Sequence, residues 1–242
     1  MTTIEAVYII HIIQFDLKPS KCKMKCMKIF CDFDGTAAKN DVGNLLFRTF
    51  ADNRCFEIVR SWKEGKISSR ECLIDLCKIT RVTKEDLEQF SDSQELDPYF
   101  LELVEFGQQK GIGVEILSDG LDFYIERILS KYKLDKIVPF HSNHLQFLNR
   151  NKIVAEFPYY DRGCGHCANC KGYHVRQSQE KKKPVVFVGD GLSDRCGVKE
   201  ADIVFAKRGR ALLKYCQENQ IEHYEFDDFN DVLYKIKRIL DH

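Results

Sequence analysis

Three short apolar runs along this chain each stop at a polar residue followed by a turn. Ile29–Cys31 stops at Asp32, Val114–Leu117 at Ser118, and Val185–Val188 at Gly189 and Asp190. Short runs like these, apolar apart from Glu115 in the second, suit strands buried on both faces, the situation of a parallel sheet covered by helices. The stretches between them have helical periodicity. "PYFLELVEFGQQKG" (Pro98 to Gly111) carries proline at its start and glycine at its end, as helices prefer, and "LDFYIERILSKY" (Leu121 to Tyr132) is a second such stretch. Alternating strands and helices predict an α/β fold with a doubly wound parallel sheet. In such sheets ligands sit beyond the carboxyl ends of the strands, where Asp32, Ser118 and Asp190 would meet.

From Asp41 to Asp97 the strand signal disappears and helical periodicity takes over, in "VGNLLFRTF", "CFEIVRSWKEG", "SSRECLIDLCKIT" and "TKEDLEQFSDS". Residues 41–97 therefore form an all-helical insertion after the first strand, and 28–40 with 98–242 form the α/β core. Asp135 to Tyr160 holds two alternating runs around "NRN", the pattern of a hairpin. "ADIVFAKRG" and "HYEFDD" supply later strands and "FNDVLYKIKRIL" a closing helix. Residues 1–27 are expected to be an extension, disordered or loosely docked. Its apolar stretch, Ala6 to Phe15, is shorter than the roughly 20 residues a bilayer requires and is interrupted by His11 and Gln14. It also lacks the preceding positive charge and the small-residue cleavage site of a signal peptide. Met24 or Met27 would make a natural start, and no membrane association is expected.

The 37 Lys and Arg residues balance 37 Asp and Glu, so nothing in the overall charge favours a nucleic acid as partner. The dense basic run, Lys181 to Lys183, precedes a strand and reads as a solvated turn. Eleven cysteines, odd in number and mostly scattered singly, suggest reduced thiols and a cytoplasmic setting. Nothing in the pattern bears on oligomeric state.

The chemistry concentrates in "FCDFDGT", Phe30 to Thr36. Two aspartates two residues apart, with a glycine to permit a turn, can be splayed around one ligand. One can attack phosphorus while the other protonates the leaving alkoxide. Both steps crowd negative charge, which calls for a divalent cation on hard oxygen ligands, with Asp190 a further carboxylate at hand. "DFDGT", "LSDG" and "GDGLSD" occur in that order, and the chain resembles the haloacid dehalogenase (HAD) superfamily of aspartyl phosphatases from Lys28 to its end. The resemblance implies a Rossmann-like core with a helical cap inserted after the first strand. It makes Asp32 the nucleophile and a Mg²⁺ ligand, and Asp34 the general acid/base, with its backbone carbonyl on the metal. Ser118, Asp119 and Gly120 would bind the phosphoryl group with Lys171. Asp190 would ligate Mg²⁺, and Asp194 would join it or orient the site. Lys131, Lys133, Lys136 and Lys152 also lie between the second and last motifs and compete with Lys171 for the lysine role. An aspartate at a strand end can also merely cap a turn, Ser118 can be a plain helix cap, and Asp194 can be structural.

"CGHCANCKG", Cys164 to Gly172, ends against Lys171. Cys164, Cys167 and Cys170 have the spacing of zinc ligands, with His166, Cys196 or another residue as the fourth. Reduced structural thiols or an adventitious disulfide are the other readings. A cysteine cluster before this lysine resembles two groups in the phosphoserine phosphatase branch of the superfamily. These are the 2-hydroxy-3-keto-5-methylthiopentenyl-1-phosphate phosphatases of methionine salvage and the phosphoethanolamine/phosphocholine phosphatases. "DGTAAKNDVGN", Asp34 to Asn44, is similar to the salvage enzymes and makes Asp41 and Asn44 substrate-pocket candidates. Asp41 could equally be a solvated helix cap, and Trp62 and Arg60 could line the cap, although a lone aromatic at helical spacing is more often core. The resemblance thus implies a hydrolase of a small phosphorylated metabolite, an enol phosphate foremost and phosphoethanolamine, phosphocholine or phosphoserine behind it. A phosphotransferase would use the same aspartates. A metal-binding interaction protein on a retired scaffold is disfavoured by the intact Asp32, Asp34, Lys171 and Asp190.

Overall fold

The computed structural model describes residues 27–179 and 184–241. The expected extension thus lies outside the described residues apart from Met27, which is buried, and the basic run Lys181 to Lys183 lies outside them as well. Strand β1 (Lys28–Cys31) occupies the middle of a seven-stranded sheet of order β4-β3-β2-β1-β5-β6-β7. Its neighbours are β2 (Gly113–Leu121) and β5 (Val185–Gly189), and both pair with it in parallel. Then come β6 (Ile203–Lys207) and β7 (Tyr224–Phe226) on one side. On the other lie β3 (Phe140–Asn149), parallel to β2, and β4 (Lys152–Glu156), antiparallel to β3 as the hairpin signal predicts. Because β1 is paired along both edges, the residue after Cys31 emerges between the ends of β2 and β5.

The strand residues alternate between two buried faces. Ile29, Cys31, Ile116, Val186 and Val188 point to one face, covered by helices α5 (Phe100–Lys110), α6 (Asp122–Lys131) and α10 (Phe229–Asp241). Phe30, Leu117, Phe187 and Ala206 point to the other, against α7 (Lys171–Gln179), the short α8 (Arg195–Val198) and α9 (Ala211–Glu218). Strands with both faces covered favour apolar residues at most positions, and the exception in β2, the half-buried Glu115, pairs with Lys28 Nζ at 2.6 Å. Each such buried side chain contributes about 1.5–3 kcal/mol over its exposed state.

Four helices separate β1 from α5: α1 (Val42–Phe50), α2 (Arg54–Lys63), α3 (Ser69–Ile79) and α4 (Lys84–Asp92). Their starts are written in the sequence. Asp41 accepts from the Asn44 N–H, Thr83 from that of Asp86, and Ser68 with Glu71 forms a reciprocal capping box. The chain enters and leaves this segment side by side, since Ala38 and Leu96 form an antiparallel bridge and the Lys39 N–H donates to the Glu95 carbonyl. α3 lies against β4, and α4 against α6.

β2 does not stop at Ser118, where its apolar run ends. It continues through a register shift to Leu121. Side-chain amides hold this polar stretch extended: Asn143 Nδ2 donates to the Asp119 carbonyl and Asn169 Nδ2 to that of Ser118.

Candidate active site

The acids collect where the central strands end. Asp32 leaves β1 with its N–H on the Val188 carbonyl of β5, and its carboxylate is buried. The chain then turns at Gly35, whose φ of 77° suits glycine, and a Cβ there would sit 2.7 Å from Asp190 Oδ2. This turn separates the two aspartates. Asp32 Oδ1 accepts from Lys171 Nζ at 2.5 Å, whereas Asp34 faces the helical segment. Asp34 Oδ1 accepts from the Gly43 N–H at 2.9 Å, and its Oδ2 accepts from the Tyr124 hydroxyl at 2.8 Å and from Ser118 Oγ at 3.4 Å.

Lys171 begins α7 and is wholly buried, its Nζ donating to Asp32 Oδ1, to Asp194 Oδ1 at 2.6 Å and to Ser193 Oγ at 3.2 Å. Burial pulls its ammonium down, but the carboxylates of Asp194 and Asp32 more than reverse this and hold it above the usual lysine range. The four competing lysines are not in this contact, so the structure brings Lys171, and none of them, to Asp32. Asp194 Oδ2 accepts from the N–H groups of Asp190 and Gly191 at 3.0 and 2.8 Å. Carboxylate oxygens of Asp32, Asp190 and Asp194 lie within 4.8 Å of one another.

This crowding shows in the acids' proton affinities. Burial, then the charges of Asp194 and Asp190, push Asp32 up, against the pull of Lys171. Burial and the neighbouring Asp41 push Asp34 to about 7, while the Gly43 and Tyr124 hydrogen bonds act the other way. Asp190 is pushed to about 6 by burial and Asp194. One buried cation among these acids leaves negative charge uncompensated, and hard oxygens this close fit a small divalent ion. Asp194 already spends its oxygens on Lys171 and two backbone amides, so Asp32 and Asp190 are the side chains freest to ligate one.

A cleft of about 380 Å³ opens over the acids. Asp32, Asp34 and Asp190 form its floor, while Phe47, Val59, Leu73 and Leu76 give the helical segment's side an apolar wall. Asp41, Asn44, Asp119 and Gly120 also line it. Trp62 faces the cleft; Arg60 does not, and instead pairs with Glu57 at 3.3 Å on the exterior. The Asp119 carboxylate accepts from the Asn169 N–H at 2.6 Å and is turned toward the cysteine loop. At Gly120 a Cβ would fall 1.8 Å from the Tyr124 hydroxyl and 2.8 Å from Asp34 Oδ2, so only glycine allows tyrosine and acid to meet there.

Several groups in or behind the cleft have no sequence motif. Tyr124 sits in an ordinary amphipathic helix, and Lys207 reaches the Gly35 carbonyl at 2.8 Å from β6. Arg210 Nε lies 4.0 Å from Asp190 Oδ2. Ser69 Oγ accepts from the Ala168 N–H at 2.7 Å, tying the start of α3 to the cysteine loop. Ser69 is the second residue of "SSREC", where the cap signal draws attention to its neighbour Ser68.

A central parallel strand ends in an aspartate pair, with a buried lysine and a further acid at the adjoining strand ends of a HAD-type α/β fold. Solved structures share the fold. A phospho-aspartyl intermediate analogue of phosphoserine phosphatase superposes with a TM-score of 0.68 at 20% identity, covering 86% of this chain and 97% of that one. A HAD family hydrolase from Salmonella enterica serovar Typhi gives 0.68 at 19% identity, covering 88% and 71%. The family model described as Putative Phosphatase matches residues 27–228, and the chain belongs to that family. Among curated relatives, the 2-hydroxy-3-keto-5-methylthiopentenyl-1-phosphate phosphatases of Bacillus mycoides (strain KBAB4) and Bacillus anthracis are each 28% identical over 222 residues, spanning 89% of this chain and 98% of the relative.

Proposed function

We propose that the chain is a Mg²⁺-dependent phosphomonoesterase that works through an aspartyl phosphate on Asp32. The contact of Lys171 with Asp32 and Asp194 beneath the acid cluster carries this reading, because a buried ammonium there aligns the attacking oxygen and offsets the negative charge an arriving phosphoryl group would add. An Asp32 carboxylate oxygen attacks phosphorus, the ester P–O bond breaks, and the departing alkoxide takes the proton of Asp34. Water then attacks phosphorus, the Asp34 carboxylate takes its proton, and the bond to Asp32 breaks to release inorganic phosphate. With its proton affinity near neutrality, Asp34 can fill both roles. Ser118 and the backbone at Asp119 and Gly120 hold the phosphoryl oxygens; the Asp119 carboxylate, which would repel them, braces the cysteine loop. Asp32, Asp190 and the Asp34 carbonyl would hold Mg²⁺, with Asp194 positioning Lys171 and the Asp190 loop. When bound, the ion supplies the positive charge that offsets the acids and the phosphoryl oxygens.

The helices of 41–97 act as a cap over the cleft. Their apolar wall suits a substrate with a short apolar tail, which favours the enol phosphate named by the Bacillus relatives over phosphoserine, whose tail carries two charges. Asp41 and Trp62 on the same cleft favour a second reading, a cationic tail such as that of phosphocholine or phosphoethanolamine. The described cysteines are all free, which suits a reducing, cytoplasmic compartment. The test is phosphate release from a panel of these esters, with Mg²⁺ or EDTA and with added alcohol acceptors. Turnover confined to Mg²⁺, fastest with the apolar-tailed ester and unaffected by acceptor, is expected. Preference for the choline ester would move the assignment to the second reading, acceptor dependence would make the protein a phosphotransferase, and no release from any ester would overturn the hydrolase.

A further inference from the structure

Away from the acids, a second group of metal-ligating side chains converges. The Sγ atoms of Cys164, Cys167, Cys170 and Cys196 all lie within 4.8 Å of one another, with Cys167 Sγ and Cys196 Sγ 4.0 Å apart. Four sulfurs at about 2.3 Å from one zinc would stand about 3.8 Å apart, so the cluster needs only a small contraction. His166, the competing fourth ligand, is outside the group and spends its carbonyl on the Ser69 N–H. The sulfurs are free thiols, and the Cys167 N–H donates to Cys164 Sγ at 3.4 Å. Three of the four side chains are buried or half-buried, and Cys164 alone is exposed, which leaves a way in for the ion.

We propose that Cys164, Cys167, Cys170 and Cys196 form a structural zinc site that staples the two segments flanking the catalytic lysine. Each thiol loses its proton to solvent as its sulfur joins the ion, giving a closed four-sulfur site with no open position for chemistry. Its place in the chain gives the role. Cys170 immediately precedes Lys171, and Cys196 stands two residues after Asp194, the carboxylate that holds Lys171. The segments approach so closely that a Cβ at Gly172 would lie 2.6 Å from the Cys196 carbonyl oxygen. The same loop takes the Ser69 hydroxyl from α3 and gives the Asn169 N–H to Asp119. One ion would thereby fix the lysine, its acid partner and the foot of the cap together, a consequence that rests on the phosphatase reading, as the site itself does not.

The test uses the full chain purified under reducing conditions. Zinc content by mass spectrometry is expected at one ion per chain, retained through EDTA dialysis that strips Mg²⁺. Replacement by Co²⁺ is expected to give an intense thiolate-to-cobalt charge-transfer band and the visible spectrum of a tetrahedral site. Cys196→Ser should weaken zinc binding at least about tenfold, and zinc removal should raise amide hydrogen exchange in 163–173 and 192–198. Should Cys196→Ser fail to fold, the cobalt spectrum of the wild type decides. Protein purified without zinc that gives no charge-transfer band on cobalt titration, or alkylation of the four thiols at rates indifferent to zinc, overturns the site. Asp32→Asn separates the two readings, since it should keep zinc in full while losing phosphate release.

Discussion

On the proposed mechanism, Asp34 governs the pH behaviour of this site. Its carboxyl must carry a proton to release an alkoxide, and burial with Asp41 nearby places that proton's loss at about 7. Turnover of an alkyl ester should therefore fall as pH rises through about 7, seen as an alkaline limb in kcat/KM. The Tyr124 O–H stabilises the ionised form, so Tyr124→Phe should move that limb to higher pH; a limb that stays put would remove Tyr124 from the account. Asp34→Asn should lower kcat for alkyl esters by about 10²–10⁴. With an aryl ester, whose phenolate leaves without help, the same variant should still release a burst near one equivalent of phenol per enzyme and then stall. Absence of that phenol burst, with the aryl ester's first turnover slowed as much as the alkyl ester's, would contradict a proton-transfer role. The pair Asp32 and Asp34 was legible in sequence because glycine follows an apolar run. Tyr124 was not, since nothing in an amphipathic helix marks the one residue that reaches back to an acid 90 positions earlier.

At the scale of elements, the start of α3 separates stability from function. Ser68 caps the helix from solvent, and Ser68→Ala should cost about 1 kcal/mol of stability with kcat/KM intact. Ser69 is buried and accepts from the Ala168 N–H. Ser69→Ala should cost about 1–3 kcal/mol and also lower kcat/KM, by loosening the loop that carries Lys171. Denaturant melts with steady-state kinetics check both, and a functional loss at Ser68 alone would reverse the assignment. These two serines show where sequence reading ends. Caps and apolar runs are local patterns, so the helices between Val42 and Asp92 and the strand ends around Asp32 and Asp190 could be placed. The extension of β2 to Leu121 depends on amides from Asn143 and Asn169, distant in sequence. The choice of Cys196 over His166 likewise depends on α8 folding against α7.

Across the whole molecule, the acid cluster costs stability that Mg²⁺, on the proposed reading, would return. Asp34 and Asp190 have folded-state values of about 7 and 6 against an ordinary 3.8. Both raised groups bind protons more tightly when folded, so their stabilising contribution is complete below about pH 4 and is lost as pH rises through 6 and 7. Mg²⁺ should therefore raise Tm more near pH 8 than near pH 5, where protons compete with it. Asp190→Asn, which removes both a charge and a ligand, should raise the Tm of the Mg²⁺-free protein near pH 8 and abolish the response to Mg²⁺; a full response in that variant would place the ion elsewhere. On the proposed mechanism the phosphoryl group passes through Asp32. Quenching turnover of an aryl phosphate in acid within the first catalytic cycles, and mapping the phosphoryl group by peptide mass spectrometry, tests this step itself. Phosphate is expected on Asp32 in the wild type, accumulating further in Asp34→Asn and absent in Asp32→Asn. Sustained turnover with no phosphoryl on Asp32, or undiminished turnover by Asp32→Asn, would contradict it.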